Sequence, residues 1–151
     1  MIHRMVAATL ALAGFFVSFY LWLWKLGVVG SLACGPGGGC EYVQTSPWAM
    51  IFGIPVALFG VVGYLVLFTV SLIGLQPGWA QRREPTLALV ALSGAAVLFT
   101  AYLTYLEAAV IHAWCRWCLV SAGIIVAIFM ASLAGLPRSG TQAQRHGGMA
   151  A

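Results

Sequence analysis

Four apolar stretches, each at or beyond the roughly 18 residues that mark a membrane-crossing helix, constrain this chain more than any other feature. They lie at about residues 5–26, 48–75, 86–111 and 115–136. Hydrocarbon offers no partner to a backbone amide or carbonyl, so such stretches must satisfy their own hydrogen bonds, which helices do within one segment. The expected fold class is therefore all-α: an integral membrane four-helix bundle, its one domain covering residues 1–137. Hydrophobic residues make up 62% of the chain and charged residues 7%, leaving no room for a separate soluble module.

The segments around the spans differ in character. The first span closes on Tyr20, Trp22, Trp24 and Lys25, which read as an aromatic belt with a snorkelling lysine. A charged tip, an apolar run and Ser31-Leu32-Ala33 before Cys34 also resemble a cleavable secretory or lipoprotein signal, but the run exceeds the roughly 7–15 residues of a signal core. Gly27 to Thr45 reads as the first true loop, centred on Cys34-Gly35-Pro36-Gly37-Gly38-Gly39-Cys40. Glycine's conformational freedom lets these two cysteines bend toward each other or swing elsewhere, so a mobile loop is expected. The second span carries Gly53 and Pro55 near its start, where a proline removes an amide that has no helical partner anyway. Gln76 to Pro85 is a polar turn containing Arg82 and Arg83, and Glu107 is the charge within the third span. After His112 to Trp114 the fourth span opens on Cys115-Arg116-Trp117-Cys118. Pro137 is expected to stop it, and residues 138–151 form a polar tail expected to be disordered and cytoplasmic.

Four spans return both termini to one side. Arg4, Arg82, Arg83, Arg138 and Arg145 fall with the termini, against Lys25 and Arg116 on the other face, so the positive-inside rule makes the termini cytoplasmic. Trp22, Trp24, Trp48, Trp114 and Trp117 then belong to the outer interface and Trp79 to the inner one. Cys34, Cys40, Cys115 and Cys118 all reach the outer face, where disulfides persist. The net charge of +4 speaks about this topology and gives no sign of nucleic-acid binding.

A Cys-x-x-Cys at a helix start brings two thiols within disulfide reach, and the helix N-terminus together with Arg116 favours the reactive thiolate. Three readings compete for the two pairs. The cysteines can pass electrons by thiol–disulfide exchange to a membrane-soluble acceptor. Four thiolates can instead hold a zinc or copper ion, although the compartment is oxidising and no polar path crosses the spans. Structural disulfides bracing a scaffold are the third reading, for which a glycine run is an awkward choice.

Cys34-x5-Cys40, then Glu41-Tyr42-Val43-Gln44-Thr45-Ser46-Pro47-Trp48-Ala49, Phe52-Gly53-Ile54-Pro55, and Cys115-x-x-Cys118 opening the last span together resemble the vitamin K epoxide reductase family, specifically its bacterial disulfide-oxidising branch. The resemblance covers about residues 5–136. It implies a thiol:quinone oxidoreductase of the bacterial plasma membrane with Cys34, Cys40, Cys115 and Cys118 as redox residues. By that resemblance Cys34 exchanges with a DsbA-like thioredoxin-fold partner, Cys40 attacks Cys115, and Cys118 reduces the quinone. Ser46 matches a serine at the family's quinone site, with Trp48, Ala49 and Ala122 as further expected contacts. Ser46 followed by Pro47 also suits a helix N-cap. Many bacterial relatives carry a fused thioredoxin-like domain after the last span, whereas here a short tail follows, so the partner is expected to be a separate extracytoplasmic protein. Animal members have a tyrosine where Ala122 stands, so epoxide reduction is not implied. Oxidases of the DsbB type carry their two pairs in the reverse order. Two protons must accompany the electrons to a quinone, and Glu107 and His112 are the groups near enough to relay them; the plainer reading of either is a side chain snorkelling to water.

Overall fold

The computed structural model describes residues 1–148, with side chains to Leu136. Helix α1 spans Ile2–Lys25, α2 Gly39–Thr45, α3 Val56–Leu75, α4 Glu84–Leu106 and α5 Arg116–Gly148. Strands β1 (Met50–Ile51) and β2 (Ile54–Pro55) pair antiparallel between α2 and α3. Among the described residues, four segments are long and apolar enough to cross a membrane: Ile2–Lys25, Val56–Leu75, Glu84–Ile111 and Arg116–Leu136. The all-α membrane bundle expected from the sequence is the fold observed.

Small residues decide how the bundle closes. Ala7, Ala11, Gly14 and Ser18 recur every three or four positions on α1, so they share one buried face. Against it lies α3, close enough that a Cβ at Gly14 would overlap the Tyr64 ring and one at Gly60 would overlap the Ser18 hydroxyl. Lipid tails are as apolar as leucine, so close approach of small residues holds such helices together where hydrophobic burial cannot. Helix α5 packs on α1 and α4, whereas α3 and α4 meet less closely. Phe16, Val62, Leu65, Leu98, Val126 and Met130 are exposed on the outside of the bundle, where lipid would solvate them. The buried hydroxyls of Ser71, Ser93 and Ser132 return their hydrogen bonds to carbonyls four residues earlier.

At one end of the bundle, Arg4 is only 2% exposed. Its guanidinium donates to the carbonyls of Gly74, Trp79, Ala80 and Arg82 and to the Thr86 hydroxyl. The end of α3 and the following turn leave carbonyls without helical partners, and a planar fork of five donors satisfies several of them at once. Arg4, expected as a charge at the membrane surface, is thus a buried clasp.

Other expectations need correction too, most of them at the opposite end. The second span starts at Val56 rather than near Trp48: Pro47–Ala49 is a single 3-10 turn, followed by the β1–β2 hairpin. Its two loop residues, Phe52 (φ 51°) and Gly53 (φ 79°), both take positive φ, as a tight hairpin turn requires. The expected loop from Gly27 to Thr45 is helical over its last third, as α2. Ser46 does not cap the 3-10 turn; its hydroxyl donates to the Val43 carbonyl at 2.7 Å, closing the end of α2. The tail expected to be disordered lies partly outside the described residues, and the backbone remains helical past Pro137 to Gly148. Extending an existing helix needs no new nucleus, so one proline does not have to end it.

Arg4→Met keeps an apolar stem but removes every donor. It is expected to lower unfolding stability in detergent by about 2–4 kcal/mol, with Arg4→Lys recovering part of the loss. An unchanged melting temperature in both variants would contradict the clasp.

Candidate dithiol site

Between α4 and α5 the chain leaves regular α-helix. Glu107–Ile111 widens into a π-turn that ends at His112 in the left-handed region (φ 55°). Glu107 secures this turn twice. Its backbone carbonyl accepts from Ala113 N–H at 3.1 Å, and its Oε2 accepts from Cys115 N–H, also at 3.1 Å. Helix α5 begins directly afterwards, so Cys115 occupies its N-cap position. The Cys115 carbonyl accepts from Leu119 N–H at 3.0 Å, and the Cys115 Sγ accepts from Cys118 N–H at 3.4 Å, the bond that an oxygen-bearing N-cap would make.

Cys115 and Cys118 are free thiols, the first fully buried and the second half-buried. The Cys118 thiol hydrogen-bonded to the Cys115 sulfur holds the Cys115 thiol below its ordinary range, against the opposing effect of burial. Arg116, expected to assist, is exposed and lies over Gly35 instead, where a Cβ would meet its guanidinium.

Cys34 and Cys40 form a disulfide across a 6.1 Å Cα separation. The loop that carries them is packed rather than free, with Cys34 7% and Cys40 1% exposed. Both share one buried cluster with Cys115, Leu21, Leu32, Val43 and Ala57. Side chains clamp this segment from several directions: Glu41 accepts from Leu32 N–H at 3.2 Å, the Tyr20 hydroxyl accepts from Ala33 N–H at 3.2 Å, and Lys25 donates to the Gln44 carbonyl at 2.7 Å. Lys25, expected to snorkel, is therefore a tether. At the start of α2, a Cβ on Gly39 would overlap the Trp114 carbonyl, so only glycine permits this approach to the turn before α5. Cys40 and Gln44 stand four residues apart on α2 and share a face. Cys40 joins the cluster around Cys115, while Gln44 Nε2 donates to Cys118 Sγ at 3.4 Å.

Beneath Cys118 lies a cavity of about 390 Å³ between α3 and α4, floored by α1 and α5. Its walls are mostly apolar, with Gln44, Tyr64, Thr100, Glu107 and Ser121 as polar points. The Tyr64 hydroxyl is 2.8 Å from both the carbonyl and the hydroxyl of Ser121. Phe59, Gly63 and Val66 of α3 and Leu92 of α4 line the cavity yet are exposed, so it opens sideways between these two helices. A recess of about 40 Å³ adjoins it, sharing Gln44, Val56, Leu103, Glu107 and Cys118.

Of the expected ligand contacts, Ser46, Trp48 and Ala49 line only this recess. Ala122 lines neither space, and Ser121 takes the corresponding place in the larger cavity. His112 is exposed and lines neither. Gln44 and Tyr64 were not expected here. Glu107, whose plainer reading was snorkelling, is 3% exposed and lines both spaces. A carboxylate inside an apolar run was the available signal for Glu107; nothing local distinguished Gln44 from an ordinary loop amide.

The family model for the vitamin K epoxide reductase family matches residues 5–133 of this chain. The thiol-disulfide oxidoreductase LTO1 of Arabidopsis thaliana is 32% identical over 118 residues, covering 74% of this chain. The match covers 31% of that protein, so this chain spans under a third of its length.

Because the Cys115 thiol lies below its ordinary range, its thiolate persists as pH falls through the usual thiol region and is lost only as pH drops through the lowered value. Cys118→Ala removes the bond responsible, and the Cys115 midpoint is expected to move upward. Thiolate absorbance in the ultraviolet, titrated with Cys34–Cys40 kept oxidised, reads this directly; an unmoved midpoint would assign the lowering to something other than Cys118.

Proposed function

The chain belongs to the vitamin K epoxide reductase family, and on that premise we propose that it is a membrane thiol:quinone oxidoreductase that reoxidises a thioredoxin-fold dithiol protein. The observation that carries the reading is the arrangement of the two pairs. Cys115 is buried in one cluster with Cys34 and Cys40, and Cys118, one helical turn deeper, lines the cavity.

In this reading a reduced DsbA-like partner attacks the Cys34–Cys40 disulfide from the exposed Gly35–Gly38 side and leaves oxidised. Cys34 is buried, so that attack requires the loop to lift from Tyr20 and Trp117, whose rings lie 5.2 Å apart. Cys40 then attacks Cys115 of an oxidised Cys115–Cys118 pair, and exchange with Cys34 restores the loop disulfide while leaving both membrane cysteines reduced. This is the arrangement of bonds in the structure. Closure of the Cys115–Cys118 bond then releases the electrons toward the cavity.

The cavity suits a quinone. Its volume falls in the range of small-molecule sites, and its lateral opening faces lipid, where such molecules dissolve. Gln44, Tyr64 and Ser121 supply the polar points that a ring carbonyl needs, while Ser46, Trp48 and Ala49 close the adjoining recess. When bound, a quinone supplies a two-electron, two-proton sink oxidising enough to recharge a strongly oxidising partner. In this reading the enzyme lies in the bacterial plasma membrane with termini cytoplasmic and cysteines outside; the distribution of basic residues supports this orientation.

In quinone-containing nanodiscs with a reduced thioredoxin-fold substrate, Cys118→Ala is expected to cut quinone reduction by roughly three orders of magnitude or more. Cys34→Ser should remain folded and lose turnover. Wild-type rates in Cys118→Ala would overturn the assigned path, and a Cys34→Ser protein that unfolds would instead favour a structural brace. Stoichiometric zinc in protein purified without reductant would favour a metal site.

A further inference from the structure

Glu107 is placed as no other group among the described residues is. Among the residues lining the cavity and its recess it is the one carboxylate. It is buried, and no Lys, Arg or His is paired with it among the described residues. Its Oε2 accepts the Cys115 amide at 3.1 Å, and the carboxyl is within interaction range of the Cys118 thiol. One side chain therefore holds the Cys115 amide and shares with Cys118 the wall of the cavity and its recess. The groups facing it from other elements are Gln44 on α2, Ser18 on α1, Tyr64 on α3, and Cys118 and Ser121 on α5, with Thr100 and Thr104 on its own helix. Cysteines aside, none of these is a proton acceptor at neutral pH. A buried carboxylate with no cationic partner is an expensive thing to keep in an apolar bundle, and proton transfer gives it a use.

We propose that Glu107 is the proton-transfer residue for oxidation of Cys115 and Cys118, which rests on the quinone-reducing reading given above. As the Cys115–Cys118 bond forms, the dithiol loses two electrons and two protons, and a quinone in the cavity takes up two of each to become the quinol. The carboxylate receives the Cys118 proton and hands it into the cavity, then does the same for the second, and ends in its starting form. Its bond to the Cys115 amide holds it at the start of the helix that carries both sulfurs, and exposed His112 takes no part.

The test uses the full chain, pre-reduced at Cys115 and Cys118, in nanodiscs with and without ubiquinone. In single turnover, Glu107→Gln is expected to slow quinone reduction about 100-fold and to lose the acid limb of the wild-type pH profile. Glu107→Asp should restore part of both. During steady turnover, trapping with a mass-tagged maleimide should find Cys115 and Cys118 accumulating in reduced form in Glu107→Gln. Without quinone, diamide should close the Cys115–Cys118 bond more slowly in Glu107→Gln than in wild type at neutral pH, and equally fast at a pH high enough to ionise the thiols unaided. A Glu107→Gln protein that reduces quinone at the wild-type rate, or that is slowed by the same factor at every pH, overturns the proposal. Failure of the wild type to reduce quinone, despite normal oxidation by diamide, removes the quinone reading itself and this proposal with it.

Discussion

A single carboxylate accepting the Cys115 amide is the interaction on which the rest of the site depends. A turn between two membrane helices exposes backbone groups at a depth where water is scarce, and each must find a partner within the protein. Glu107 satisfies the turn with both its backbone and its side chain, so the chain reverses within a few residues and α5 can start at once. Because α5 starts there, Cys115 becomes its N-cap and Cys118 falls one turn lower, over the cavity. A looser connection would leave the two sulfurs on a flexible loop with no fixed relation to the space beneath.

Onto this turn the α2 segment docks, and it reads both cysteines at once. Cys40 and Gln44 lie on one face of a short helix, the first beside Cys115 and the second bonded to Cys118. Any movement of α2 would therefore alter the surroundings of both thiols. The glycines earn separate explanations: Gly39 is small because the Trp114 carbonyl occupies the space of a Cβ, whereas Gly35 combines φ of 69° with the nearby Arg116 guanidinium. Close packing, rather than freedom alone, accounts for part of this glycine run.

The cavity, in turn, follows from unequal helix packing. Small residues draw α1 tightly against α3, and α5 fills the space between α1 and α4, which leaves α3 and α4 apart along part of their length. At the far end the Arg4 clasp ties α1 to the turn that joins α3 and α4. The bundle is thus pinned at one end by hydrogen bonds and left open along one side near the other.

Fold class, number of spans, the cysteine pairs and the family resemblance were legible in the sequence, because each rests on local chemistry: apolar length, residue type and short spacing. The start of the second span was misjudged because apolar residues serve equally well in a hairpin at the membrane surface and in a helix. The close packing of the glycine loop was not legible because glycine marks both freedom and close approach. Only the tertiary structure decided that Arg4 is buried, that Gln44 and Glu107 meet Cys118, that Ser121 rather than Ala122 lines the cavity, and that His112 faces away. Those facts depend on residues far apart in the chain meeting across helices, and a one-dimensional pattern carries no information about which faces will meet.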